Sequence, residues 1–371
     1  MKIVVIIESL CMGGAERVAV NLADHWANKG WDVTVVTLAS EAMDFYELTP
    51  AVKRVALNLP GGNGKLLPAI AANLPRIIAL RKILRRIKPE VALAIMLTPN
   101  ILLSLAAHGD KELVAVGSEH LHPPALPMAK HWEFLRSYFY GRLNAVAALT
   151  SESSHWLSLN TRARKVCVIP NHIPFPFSNQ EPILDNHIVP TERRILLAVG
   201  RLCDQKGFDL LIRVFGRLSI RFPDWILVIL GEGPDREALE AQVRATGLID
   251  RVLMPGRAGN MVDWYEAADL FVMSSRYEGF GNTLLEAMAH GVPAVSFDCD
   301  TGPRDIIRNE VDGLIVPNGD LDAMETSLAR LIDDENLRHR LGERAIEVRE
   351  RFSADKVAHL WEQLFRDARV S

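Results

Sequence analysis

Short apolar runs of strand length alternate with helical segments along this chain, and several of the runs end in glycine-bearing turns. That alternation constrains the fold more than any other feature. Strands joined by helices pair in parallel and are buried on both faces, so they read as continuous apolar runs. Residues 3–7, 32–38, 91–97, 113–117, 145–150 and 166–169 read as strands of a first sheet, and 194–200, 225–230, 252–254, 268–275, 294–297 and 313–316 as strands of a second. Helices are expected over 15–30, 69–88, 208–221, 235–246, 283–290, 301–307, 321–333, 336–351 and 354–368, with a loop at 61–68. A chain of 371 residues exceeds the size at which single cores stop growing. The fold expected is therefore α/β with two doubly wound domains, 1–175 and 191–353. The proline-rich stretch 176–190 reads as a linker, and the last helix, 354–371, is placed to pack back on the first domain.

The stretch 276–292, RYEGFGNTLLEAMAHGV, concentrates the chemistry of the second half. Gly279 and Gly281 let the backbone turn sharply and come close to a ligand. The helix that follows offers the N–H groups of Asn282, Thr283 and Leu284, and its positive dipole end, to an anion. Glu278 and Glu286 bracket the turn, eight residues apart. Two readings of Glu286 stand open. With Thr283 it spells a capping box; otherwise its carboxylate is placed to accept hydrogen bonds from a ribose diol. Glu278 precedes the helix, has no such local role, and reads as a contact to a polar ligand. Arg201 and Lys206 follow the strand at 194–200 and pair a planar fork with a mobile point charge, a combination suited to a diphosphate.

In the first half, Gly13 and Gly14 follow the first strand in the strand–glycine loop–helix–strand order of a mononucleotide-binding half unit. They serve either a phosphate or a tight turn alone. The strand at 113–117 delivers Ser118, Glu119 and His120 to a carboxyl edge, where open α/β sheets bind ligands. His120 is the site candidate there and His122 its competitor.

A net charge of −4 argues against a nucleic-acid partner. Residues 1–185 carry a balance of +4 and the remainder −8, so the two halves face different partners. Arg76, Arg81, Lys82, Arg85, Arg86 and Lys88 lie among Ile and Leu in one helix. That pattern fits either a solvated outer face or docking on an anionic membrane. The four cysteines are widely spaced, which fits a reducing compartment and disfavours a disulfide framework or a zinc site. MKIVVII is too short an apolar run for a signal peptide, and no run approaches the roughly 20 residues of a spanning helix. A cytoplasmic location is expected. Asp298 and Asp300 lack a further carboxylate cluster, so no metal is expected. HExxH, a P-loop and a complete GxGxxG with its distal acid are absent, and so is GxSxG; hydrolase, kinase and dehydrogenase readings lose ground.

GGAER at 13–17, GRLCDQKG at 200–207, GEGPDR at 231–236 and the spacing of Glu278 and Glu286 together resemble family 4 glycosyltransferases of the GT-B fold. The likeness spans essentially the whole chain and is most specific over 194–318. SFDCDTGPRDII at 296–307 looks most like bacterial enzymes that extend lipid-linked glycans or surface polysaccharides. The resemblance implies two Rossmann-like domains facing a cleft, with the last helix crossing back. It implies retaining, metal-independent and cofactor-free hexosyl transfer. The donor would be a nucleotide-diphosphate sugar, with UDP the expected carrier, and the acceptor a glycan or a polyprenyl-diphosphate-linked glycan. Carried onto this chain, Arg201 and Lys206 would hold the diphosphate and neutralise the leaving group. Glu286 would bind the ribose and Glu278 the sugar hydroxyls. Gly14, beside Gly13, would let its loop approach the diphosphate, His120 would sit beside the transferred sugar, and the loop at 255–258, with Arg257, would face the base. The basic helix at 76–88 would be the membrane contact. The competing readings are a sugar-nucleotide epimerase on the same frame and a sugar-nucleotide-binding protein without turnover.

Overall fold

The computed structural model describes residues 1–59, 66–173, 175–177 and 179–370, with the backbone alone for 66–72 and 370. They form two compact units, Met1–His172 with Ala354–Ser371, and Ile173–Ser353.

The first unit runs β1 (Lys2–Ile7), α1 (Gly14–Asn28), β2 (Asp32–Thr37), β3 (Lys53–Ala56), α2 (Leu66–Ile87), β4 (Val91–Ile95), α3 (Leu97–Ala106), β5 (Val114–Glu119), α4 (Lys130–Tyr140), β6 (Ala145–Ala148), α5 (Ser151–Asn160) and β7 (Val166–Val168). All strands are parallel, in the order β3-β2-β1-β4-β5-β6-β7. Central β1 is apolar throughout because both its faces are covered. Ile3, Val5 and Ile7 pack with Trp26 of α1 on one side, and Val4 and Ile6 with Leu80 and Leu84 of α2 on the other.

The second unit runs β8 (Arg194–Val199), α6 (Phe208–Arg221), β9 (Trp225–Leu230), α7 (Arg236–Ala245), β10 (Val252–Gly256), α8 (Met261–Ala267), β11 (Leu270–Met273), α9 (Asn282–Ala289), β12 (Ala294–Asp298), α10 (Pro303–Ile306), β13 (Leu314–Pro317), α11 (Leu321–Asp333), α12 (Glu335–Ala345) and α13 (Val348–Arg351). Its sheet is also parallel, in the order β10-β9-β8-β11-β12-β13. Phe208, Leu211, Ile212, Phe215 and Leu218 recur at three- and four-residue spacing on α6, and that stripe is the face it buries.

The last helix, α14 (Ala354–Val370), belongs to the first unit. Trp361, Leu364 and Phe365 join the cluster around Trp26, and Lys29 reaches Glu362 at 2.7 Å.

Several sequence readings are corrected. The run at 91–97 ends as a strand at Ile95; Met96 turns at φ +81 and α3 begins at Leu97. α3 is apolar and largely buried, so no periodic signal separates it from the strand before it. β3 went unread because its KRVA sequence is an edge strand without a buried run. The helix expected over 336–351 is two helices, α12 and α13. The stretch 176–190, read as a linker, lies within the second unit. There the Gln180 N–H donates to the Gly259 carbonyl at 3.0 Å, and Asn260 bonds both backbone groups of Leu184. Of the loop read at 61–68, residues 66–68 open α2 and the rest lies outside the described residues. No helix among the described residues is long and apolar enough to cross a membrane.

Candidate active site

The second sheet changes its winding direction beside β8. From β8 the chain moves through α6 to β9 on one side, whereas β11 lies on the other. In open α/β sheets the loops part at such a switch point and leave a crevice at the carboxyl ends of the strands. The loops concerned are 200–207, after β8, and 274–281, after β11.

They are laced together by specific bonds. Gly207 has φ +62, and a Cβ there would lie 2.1 Å from the Ser274 carbonyl oxygen, so only glycine fits. The Ser274 hydroxyl donates to the Lys206 carbonyl at 2.9 Å and the Arg276 N–H to the Gln205 carbonyl at 2.8 Å. The Arg276 guanidinium forks onto both Asp209 oxygens at 2.9 Å, which holds that carboxyl below its ordinary range.

This scaffold brings two of the expected residues into direct contact. The Lys206 stem lies against Gly200, and its ammonium donates to Glu278 Oε1 at 2.5 Å. Ser275 Oγ donates to the same carboxylate oxygen at 2.6 Å, and Thr301 Oγ1 to the Glu278 backbone carbonyl at 2.6 Å. Lys206 and Glu278 are 17% and 8% exposed, so the pair is mostly shielded from water. Arg201, in the same loop, is exposed.

The capping-box reading of Glu286 is overturned. α9 begins at Asn282 behind Gly281, whose φ is +104, and no side chain caps it. Thr283 is the second helical residue and its hydroxyl points at the Val199 carbonyl, 3.4 Å away. Glu286 is buried and accepts a hydrogen bond from the Tyr265 hydroxyl at 3.0 Å. Gly281 has no side chain to cap the first-turn amides at Thr283 and Leu284, and by helix geometry these have no intrahelical acceptor. Arg257 is exposed just past β10. Glu232 nearby is held low, first by its hydrogen bonds with Arg236 and more weakly by the charge of Arg257.

Sequence reasoning missed Tyr265, Ser275 and Thr301. The partners of Tyr265 and Thr301 lie more than twenty residues away, so no local pattern marks them. Ser275, three residues before Glu278, was the legible one.

The remaining candidates lie in the first unit. Gly13 precedes α1 in an extended conformation, and Gly14 is the first helical residue. His120 directly follows β5 and is buried, and burial pushes its imidazole down to about 4. His122 sits with Nδ1 2.9 Å from the Ser153 hydroxyl. Behind His120, the carboxyl of Glu119 is raised by burial and accepts the Tyr140 hydroxyl at 2.6 Å. His172 is also held down to about 4, mainly by burial. The unfolded chain takes up protons at such histidines near pH 6.5, the folded one only near 4. The unfolded state therefore binds more protons in that window, and stability falls as the pH drops through it. Urea unfolding from pH 7.5 to 4.5 should show this fall, up to about 1.4 kcal/mol per pH unit per histidine. The slope should lessen in His120→Asn; an identical slope would mean the imidazole titrates normally.

On α2, Arg76 is buried, donates to the Leu59 carbonyl at 2.7 Å and pairs with Glu8. Arg81 donates to the carbonyls of Leu105 and Ala106, which end α3. Those two charges are engaged in the fold. Lys82, Arg85, Arg86 and Lys88 are exposed, as are Leu74 and Ile78, two turns and one turn before Lys82. Asp298 is paired with Arg304 at 2.7 Å, and among the described residues no three His, Cys, Asp or Glu side chains gather as a metal site.

Two family models tile the chain: Glycosyltransferase Family 4 over residues 12–175 and Glycosyl transferases group 1 over 179–348. The chain is a family 4 glycosyltransferase. It is 29% identical over its full length to a Campylobacter jejuni GalNAc-alpha-(1->4)-GalNAc-alpha-(1->3)-diNAcBac-PP-undecaprenol alpha-1,4-N-acetyl-D-galactosaminyltransferase, of which it covers 99%. It is 31% identical to a Streptomyces coelicolor exopolysaccharide phosphotransferase, matching 78% of this chain but only 30% of that much longer protein. Among solved structures, Anabaena HepE in complex with UDP and glucose superposes with a TM-score of 0.80 at 18% identity, covering 99% of this glycosyltransferase and 100% of HepE. That likeness establishes the GT-B fold.

Proposed function

We propose that this glycosyltransferase moves a hexose, with retention, from a UDP-linked donor to a glycan carried on a polyprenyl diphosphate, in the building of a bacterial polysaccharide or glycoconjugate. The observation that carries the reading is the Lys206–Glu278 pair at the switch point beside the start of α9. It sets a cation suited to a diphosphate against a carboxylate suited to sugar hydroxyls. The Campylobacter relative, whose name specifies a diphosphate-undecaprenol-linked acceptor, and the UDP bound in HepE support the choice of acceptor and carrier.

In the proposed step the bond from the sugar C1 to the β-phosphate oxygen breaks. A bond from C1 to the acceptor hydroxyl forms on the same face, and the acceptor proton passes to the departing phosphate. Lys206, Arg201 and the amides of Asn282, Thr283 and Leu284 offset the charge that develops there. Glu278 holds the sugar hydroxyls. Glu286, held by Tyr265, takes the ribose, and the loop bearing Arg257 takes the base. The acceptor is assigned to the first unit, at the carboxyl edge of the sheet that carries neutral His120. No metal is assigned a role.

A thermal-shift screen of UDP-, GDP- and ADP-sugars tests the donor, since a ligand bound only to the folded state raises Tm. A shift with UDP-sugars, and release of UDP on adding a lipid-linked glycan with EDTA present, is expected. No shift with any sugar nucleotide would refute the reading, and loss of release in EDTA would refute metal independence.

The acceptor implies work at the inner face of the cytoplasmic membrane. The exposed face of α2 is the contact assigned, with Leu74 and Ile78 lying beside Lys82, Arg85 and Arg86. Each basic residue near an anionic surface contributes about 1 kcal/mol. Replacing these three with Gln should therefore weaken sedimentation with phosphatidylserine-containing vesicles roughly 10²-fold. Undiminished sedimentation would leave the face merely solvated.

A further inference from the structure

Lys206 already holds an anion. Its ammonium is 2.5 Å from Glu278 Oε1, the pair is largely shielded, and Ser275 donates to the same oxygen. The loop carrying Glu278 is also fixed, through the Thr301 hydroxyl on the Glu278 carbonyl. A diphosphate can engage Lys206 fully only by displacing this carboxylate, and a displaced, mostly buried carboxylate needs new donors.

We propose that Glu278 is a built-in competitor of the diphosphate for Lys206, released only when a sugar on that diphosphate supplies hydroxyl donors in its place. The inference rests on the donor reading above. An intact sugar nucleotide satisfies both partners of the pair at once, Lys206 through a phosphate oxygen and Glu278 through sugar hydroxyls. A nucleoside diphosphate satisfies Lys206 alone and leaves Glu278 short of a partner. The pair thus selects for intact donor. Once the C1–O bond has broken and the sugar has left on the acceptor, Glu278 reclaims Lys206 and drives out the nucleoside diphosphate. The site spends part of its cation on its own carboxylate, which keeps a product bearing more negative charge than the substrate from binding too well.

The test is calorimetric titration of UDP, GDP and ADP into the full chain, as wild type, Glu278→Gln, Lys206→Met and the double variant. Glu278→Gln removes the competing charge and should bind the wild type's preferred diphosphate about tenfold more tightly. The gain should vanish in the Lys206→Met background, because it acts through that ammonium. Glu278→Asp, which keeps the charge but shortens its reach, should show a smaller gain of the same sign; it serves if the Gln variant folds poorly. Equal or weaker binding by the folded Glu278 variants, or tightening that persists without Lys206, overturns the inference and leaves the donor reading intact. If the wild type binds none of the three, the donor reading itself fails and this inference with it.

Discussion

Lys206→Met should lower kcat/KM for sugar transfer by about 10²–10³-fold while leaving the thermal midpoint within a few degrees of wild type. The magnitude is that of removing one preorganised group aimed at developing charge. The small stability effect follows from the surroundings of the side chain. Its stem rests on Gly200, where an unbranched apolar chain of similar length can lie as well. The mostly shielded carboxylate it leaves behind keeps a donor, because Glu278 still accepts the Ser275 hydroxyl when the ammonium is lost. Steady-state kinetics with the donor found by the screen, alongside a thermal melt, provides the check. Undiminished transfer would remove Lys206 from the diphosphate; a collapse of the melt would make it a folding residue instead.

Gly207→Val should be the more damaging change to the protein itself, costing on the order of 3–5 kcal/mol. Two independent penalties meet there. The left-handed φ of +62 is unfavourable for any side chain and worst for a β-branched one. In addition, a Cβ would stand 2.1 Å from the Ser274 carbonyl oxygen, which cannot yield without moving β11. Because Ser274 also bonds the Lys206 carbonyl, the strain spreads to both loops of the switch point. Urea unfolding with an unchanged m-value but a much lower midpoint is expected. A variant of wild-type stability would mean that the two loops are free to separate.

The sequence reading was strongest where chemistry and backbone geometry coincide locally. The apolar runs of β1, β8, β9 and β12 announced themselves because each is covered on both faces. The glycine turn before α9 and the loop with Lys206 were visible as composition. What sequence could not give is which groups meet. Lys206 and Glu278 are 72 residues apart and were read as two separate ligand contacts, yet in the folded chain each is the other's partner. The Thr283–Glu286 spacing fitted a capping box, but the cap position of α9 is Gly281, two residues earlier, and a tyrosine from α8 claims the carboxylate instead. The basic helix shows the same limit. Composition weighed its cations alike, whereas Arg76 and Arg81 are engaged with backbone carbonyls and leave Lys82, Arg85, Arg86 and Lys88 exposed. Local pattern locates candidates; long-range pairing assigns them.

The return of α14 to the first unit has a consequence for how the protein is made. Trp361, Leu364 and Phe365 complete the cluster around Trp26, so the amino-terminal core lacks a wall until residue 365 has left the ribosome. The unit synthesised first is therefore the one whose core closes last, and its apolar α1 face awaits cover throughout translation of the other unit. Ribosome-bound chains halted before α14 emerges are where a chaperone would find that face open.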